Sequence, residues 1–263
     1  MPSSPWQPLP RARTYELVLD RIEEQIRAGR LSVGDRLPPE RDLAAMLGVS
    51  RAAIREALRV LEAQGVLLKP QVGTGPESGS IIADTPGAGL ARLLRLHVAL
   101  ANFPFADVVE ARIILERASA RLAAASASAE DLERIRAPLE QMDDPPLPRE
   151  AFNDLDTDFH VAVAQAGGNR LVADLTGAMR NSLRHPLLEV FNRIDDWPPA
   201  AAMLQHGHHA IYDAIAARDP ESAEKRTESH IRGFHDIAQD LLDQPTALSQ
   251  PDILSRSKIG FSR

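Results

Sequence analysis

Cysteine is absent from the 263-residue chain, which excludes disulfides, thiolate metal sites and a cysteine nucleophile. No run approaches the roughly 20 apolar residues that a membrane span needs. The opening residues, MPSSPWQPLPRAR, lack an apolar segment, so a secretory signal is not expected there and a cytoplasmic location is. A basic surplus is also missing, since the formal net charge is −7. The charge is unevenly spread. Residues 1–80 hold 11 basic and 10 acidic side chains, leaving 19 basic and 27 acidic for the rest. Affinity for a polyanion must come from a local basic face, with Arg41, Arg51, Arg55 and Arg59 as candidates, and not from net charge. The hydrophobic content of 44% is that of an ordinary globular protein, and the length suits two domains.

The most informative stretch is 37–67, LPPERDLAAMLGVSRAAIREALRVLEAQGVL. Leu43 and Leu47 make an apolar stripe at i and i+4; Ile54, Leu58 and Leu61 make a second one. Gly48 falls where the chain must reverse, Ser50 is a good N-cap, and Gly65 ends the second helix. This is helix-turn-helix spacing, in which the second helix enters the DNA major groove and offers its N-terminal residues to base edges. Ser50, Arg51 and Arg55 occupy those positions. Arg51 and Arg55 lie one turn apart, away from the apolar stripe. A plain helical hairpin with solvated arginines fits the same spacing, and the flanking sequence favours DNA.

Residues 1–12 carry four prolines and read as a disordered arm. A helix is expected over 13–28, with Tyr15, Val18, Leu19, Ile22 and Ile26 on one face. Residues 30–39 read as a loop. Two short apolar runs, 66–69 and 81–82, flank a Gly-rich tip and predict a β-hairpin, the wing of a winged helix-turn-helix spanning 13–82. Residues 83–89, ADTPGAG, read as a linker. From there the pattern is helical, with helices expected over 90–101, 105–125, 129–142, 149–166, 170–193, 200–217 and 220–244. The fold class is therefore mainly α: a winged head, then an antiparallel bundle of about seven helices over 90–244 and a flexible tail over 245–263.

Within the bundle, Asp156 and His160 are four apart and share a helix face. His208 and His230 fall on two further helices, 22 residues apart, a separation that a helical hairpin brings side by side. Three imidazoles and a carboxylate suit Zn, Ni, Mn or a similar divalent ion. Eight histidines are present, with His206 and His209 beside His208, and ordinary surface or core histidines are the competing reading. Arg112 is placed either to bind a carboxylate through its guanidinium or to pair with Glu116 at i+4.

The run Gly34-Asp35-Arg36-Leu37-Pro38-Pro39-Glu40-Arg41-Asp42-Leu43-Ala44, then Gly48-Val49-Ser50-Arg51, then Arg55-Glu56-Ala57-Leu58, resembles the GntR superfamily of bacterial transcription regulators. The helical half resembles the FCD ligand-sensing domain of its FadR subgroup. The resemblance implies that Arg41, Arg51 and Arg55 contact DNA, that Ser50 makes a phosphate or base contact, and that Gly73 is the wing-tip glycine at the minor groove. The wing, VGTGPESGSII, is longer than the family's usual short tip. Asp156, His160, His208 and His230 match the four metal positions of the metal-binding FCD group. The register that places a ligand three residues before Ile211 selects His208. Arg112 matches a position that faces the effector cavity. A homodimer on a near-palindromic double-stranded operator, a divalent metal and a small carboxylate effector are implied, with repression relieved by the effector. A purely structural or sensory metal, or a metal-dependent hydrolase, are the alternatives.

Overall fold

The structure, a computed structural model, describes residues 14–68, 79–84, 87–100, 102–143 and 147–243. The wing tip with Gly73, the N-terminal arm and the C-terminal tail lie outside the described residues.

The head is built from α1 (Thr14–Arg27), α2 (Glu40–Leu47), α3 (Arg51–Ala63), β1 (Leu67–Leu68) and β2 (Ile81–Ile82). Val18 and Ile22 of α1, Leu43 of α2, and Ile54, Ala57 and Leu61 of α3 share one core with Leu37, Leu67 and Ile82. The expected stripes are the buried ones, because a short helix is held by packing its apolar face more than by propensity. Gly48 ends α2 in the left-handed region, φ 65°, where a side chain is disfavoured. Ser50 caps α3, its hydroxyl oxygen accepting from the Ala53 N–H at 3.2 Å. The strands pair antiparallel, Leu67 opposite Ile82 and Leu68 opposite Ile81.

The stretch 30–39 is not only a loop. Leu37 N–H donates to Ser80 O, Ile82 N–H to Asp35 O, and Gly34 N–H to Ile82 O, so residues 34–37 run along the free edge of β2. That pairing satisfies backbone groups which the short wing would otherwise leave open. The sequence carries no alternating apolar signal there, since Gly34, Asp35 and Arg36 precede a single core residue, Leu37.

Seven helices follow: α4 (Gly87–Ala99), α5 (Phe105–Ser126), α6 (Ala129–Met142), α7 (Arg149–Ala166), α8 (Arg170–Arg193), α9 (Trp197–Ala216) and α10 (Pro220–Asp243). Two expectations need correction. The linker is shorter than 83–89, because α4 already begins at Gly87. A side chain at 89 would fall 2.3 Å from the Gln64 carbonyl, so Gly89 lets the first turn of α4 rest on the end of α3. α9 starts at Trp197, not at 200, because Pro198 and Pro199 sit in a first turn whose N–H groups need no helical partner. The bundle core includes Ile135, Leu139, Phe152, Phe159, Phe191, Leu204 and Ile211. Among the described residues no helix is long and apolar enough to cross a membrane.

Candidate functional site

In the head, α3 carries its polar face outward. Arg51 and Arg55 are exposed, as is Arg41 on α2. Arg51 bonds none of the described residues. Arg55 pairs with Glu40 at 3.1 Å and Arg41 with Asp42 at 2.9 Å. Both pairs are largely solvated and worth about 0–1 kcal/mol, so either arginine is readily redirected to a phosphate or a base. The Arg41 pair with its neighbour Asp42 is a local one on the exposed surface. Ser50 is committed to capping, and its side chain serves α3 before it serves any ligand.

In the bundle, α7 projects Asp156 and His160 inward from one face, α9 supplies His208 and α10 supplies His230; all four are buried. One ligand atom from each lies within 4.8 Å of all the others. His208 and His230 have ring centroids 4.4 Å apart, and His160 lies 5.2 and 5.3 Å from them. Gly207 makes this approach feasible, since a Cβ there would stand 2.4 Å from His230 Nδ1. A helix-interior glycine costs about 1 kcal/mol relative to alanine, and here it admits an imidazole onto the α9 backbone. Phe159 and Phe152 wall the His208 ring at 4.8 and 6.4 Å. His206 is exposed and His209 only partly buried, and His209 reaches Asp143 instead at 3.0 Å.

Two charged residues absent from the expected set complete the cluster. Glu116 of α5 places Oε2 2.6 Å from His160 Nδ1 and Oε1 2.6 Å from Arg112 Nε. Arg180 of α8, with no exposed surface, bonds Asp156 Oδ2 and stands 3.6 Å from Glu116 Oε1. Asp156 Oδ1 is 2.9 Å from His208 Nε2. Burial opposes ionisation of Glu116, but Arg112, His160 and Arg180 outweigh it and hold the carboxyl well below its usual range. Asp156 is likewise disfavoured by burial and held well below by Arg180 and the His208 hydrogen bond. Burial drives His160 down to about 4 and His230 well below its ordinary value. At neutral pH the cluster thus holds His160 and His230 as neutral imidazoles beside two carboxylates and two guanidinium groups.

This donor set fits a divalent ion. Glu116 holds the proton of His160 on Nδ1 and turns Nε2 inward, the usual arrangement behind a ligating imidazole. His160 Nε2 and His208 Nδ1 are buried with no hydrogen-bond partner, a cost that a ligand to either would relieve. Metal–nitrogen and metal–oxygen bonds of about 2.0–2.2 Å put opposed ligand atoms about 4.4 Å apart and neighbouring ones about 3.0–3.6 Å apart, so the four groups would draw together around an ion. Spacing revealed Glu116 only as an i+4 partner for Arg112, and Arg180 had no spacing signature at all. They lie on separate helices, and only packing shows that their charges meet.

Arg112 makes the i+4 contact open to it and also lines a cavity. Its Nε donates to Glu116, while its terminal nitrogens bond none of the described residues and the side chain lines a cavity of about 220 Å³. Burial lowers its pKa from the ordinary arginine value.

Comparison with known proteins agrees with this division of the chain. The model of the family described as "Bacterial regulatory proteins, gntR family" matches residues 14–75, and that of the FCD domain matches 107–233. The chain is 33% identical over 233 residues to the "Putative L-lactate dehydrogenase operon regulatory protein" of Escherichia coli K12, covering 86% of each. It is 28% identical over 239 residues to the "HTH-type transcriptional repressor NanR" of Cronobacter sakazakii, covering 86% of this chain and 85% of that one. The solved structure of Streptococcus agalactiae GntR shares the fold, with a TM-score of 0.53 at 24% identity over 84% of this chain and 99% of that one. A groove-reading head joined to a ligand-binding helical bundle, at this level of likeness, places the chain in the GntR family as a DNA-binding transcription regulator with an FCD domain.

Proposed function

We propose that the chain is a homodimeric, metal-containing repressor that leaves its operator when a small carboxylate binds in the FCD domain. The observation that carries this is the buried set Asp156, His160, His208 and His230, joined through Glu116 to Arg112. Those four side chains would hold the ion. When bound it supplies a Lewis-acidic centre for a carboxylate oxygen. Asp156 and Glu116 cancel the charges of Arg112 and Arg180, so a divalent ion leaves two positive charges unbalanced in a buried site. Burying uncompensated charge is costly, and an anionic effector offsets it. Arg112 presents a guanidinium to the same anion. Of the two relatives compared, one is named a repressor and one for an L-lactate dehydrogenase operon, which supports the sense of the response and the carboxylate.

The dimer rests on α4 and the residue after it, where Leu93, Leu96 and Leu100 lie close together in sequence and are each more than half exposed. A two-fold dimer reads two-fold related half-sites, hence a near-palindromic operator. A monomer on sedimentation of the full chain would overturn this element. Elemental analysis tests the metal. About one divalent ion per chain is expected, and folded protein that stays empty after incubation with Zn²⁺, Ni²⁺ and Mn²⁺ rejects it. A purely structural metal is separated by titrating carboxylate before and after chelation; unchanged binding in chelated, folded protein shows that the ion does not hold the effector.

On the DNA side, Arg51→Ala should weaken binding to a duplex selected from a random pool by about 1–3 kcal/mol, the range for a side chain reading a base edge. Undiminished affinity would remove Arg51 from the interface.

A further inference from the structure

The cavity beside Arg112 says more about the ligand than its charge. It is enclosed by α5, α8 and α10, and Val108, Val109, Leu187, Val190, Ile231 and Phe234 form its wall. Arg112 lines it, and the two terminal nitrogens of its guanidinium bond none of the described residues. The remaining polar side chains around it are engaged elsewhere or solvated. Glu189 is exposed and pairs with His185 at 3.2 Å, Arg193 and His235 each make an interaction, and His235 Nδ1 alone among them is a buried polar atom with no hydrogen-bond partner, enough for one hydroxyl and not for several. A polyhydroxylated ligand would leave its hydroxyls facing isopropyl and phenyl groups, at a cost for each unpaired hydroxyl. A single charged head on an apolar body matches the wall, and at about 30 Å³ per water-sized group the space holds roughly seven such groups.

We infer that the effector is a monocarboxylate with an aliphatic body of about five or six carbons, its head at Arg112 and its tail among Val109, Leu187, Val190 and Phe234. The inference rests on the reading of the FCD domain as a carboxylate sensor and names the class of carboxylate. It departs from what the name of one relative suggests, since lactate carries a hydroxyl and a single methyl group.

The test is a chain-length series measured calorimetrically on the full, metal-loaded protein: acetate, butyrate, hexanoate, octanoate and, as the polar isostere, lactate. Affinity should rise about fourfold per added methylene up to hexanoate, the increment for burying one CH₂ group. It should level or fall by octanoate, when the cavity is full. Ala238→Leu places a larger side chain in the cavity wall and should erase the gain beyond butyrate. If that variant does not fold, the series on the unaltered chain decides alone. Affinity that is flat or falls with length, or lactate binding more tightly than butyrate, overturns the inference and leaves the carboxylate sensor intact. Binding of no carboxylate at all overturns both.

Discussion

Replacing Asp156 with Ala is expected to empty the chain of metal and to lower its stability by about 3 kcal/mol even when the metal has first been stripped. Two separate roles produce the two effects. Oδ1 points at His208 Nε2 and is the anionic member of the proposed ligand set, so only three imidazoles remain without it. Oδ2 neutralises Arg180, which has no exposed surface. Removing one partner of a buried ion pair costs about 3–5 kcal/mol, because the other charge stays behind in a poorly solvated place. The low end applies here, since Glu116 stands 3.6 Å from Arg180 and still compensates part of the charge. The double variant Asp156→Ala, Arg180→Met separates the roles. It should recover most of the stability in urea denaturation and none of the metal. An Asp156→Ala chain that keeps full metal occupancy rejects the ligand assignment; one that loses metal at unchanged stability rejects the Arg180 pairing.

The pattern of what could be read in advance follows from how far each interaction reaches along the chain. Asp156 and His160 declare themselves by an i, i+4 spacing, and His208 and His230 by the length of one helical hairpin. These are local rules that survive translation into a fold. The choice of His208 over His206 and His209 depends on which face of α9 looks inward, and Leu204, Ile211 and Ile215 mark that face in the sequence as in the structure. Glu116 and Arg180 are different. α5 and α8 are separated by two other helices in the chain, and nothing in ERASA or AMRNS distinguishes these charges from surface ones. Their burial is a product of packing, and it becomes affordable only because each lies against opposite charge. Of the two readings of Arg112, the structure shows the i+4 pair with Glu116, and a guanidinium paired through Nε still lines a cavity. The strand-like edge at 34–37 and the early start of α9 escaped because Gly, Asp and Pro read locally as breakers, whereas tertiary hydrogen bonds and the N-terminal tolerance of proline decided the outcome.

The same burial makes the metal-stripped protein sensitive to mild acid. His160 has its pKa pulled down to about 4 by desolvation, against about 6.5 in an unfolded chain. Between those values the unfolded chain binds a proton that the folded chain refuses. Stability therefore rises with pH across this window and is lost as pH falls from about 6.5 towards 4. For His160 alone the loss between pH 7 and pH 5 is about 2 kcal/mol. His230, lowered by burial as well, adds to it with the same sign. Asp156 and Glu116 act in a second, lower stage. Their pKa values are depressed in the fold, so their contribution is complete above the ordinary carboxylate range and is lost as pH falls through and below it. Urea denaturation at pH 7 and pH 5 should show a lower midpoint at pH 5 with an unchanged slope. His160→Gln should flatten the first stage, because the amide cannot take up the proton in either state. Equal midpoints at the two pH values in the unaltered chain would mean that the imidazoles are solvated or already charged, and a cluster of that kind would not greet a divalent ion with free nitrogen lone pairs.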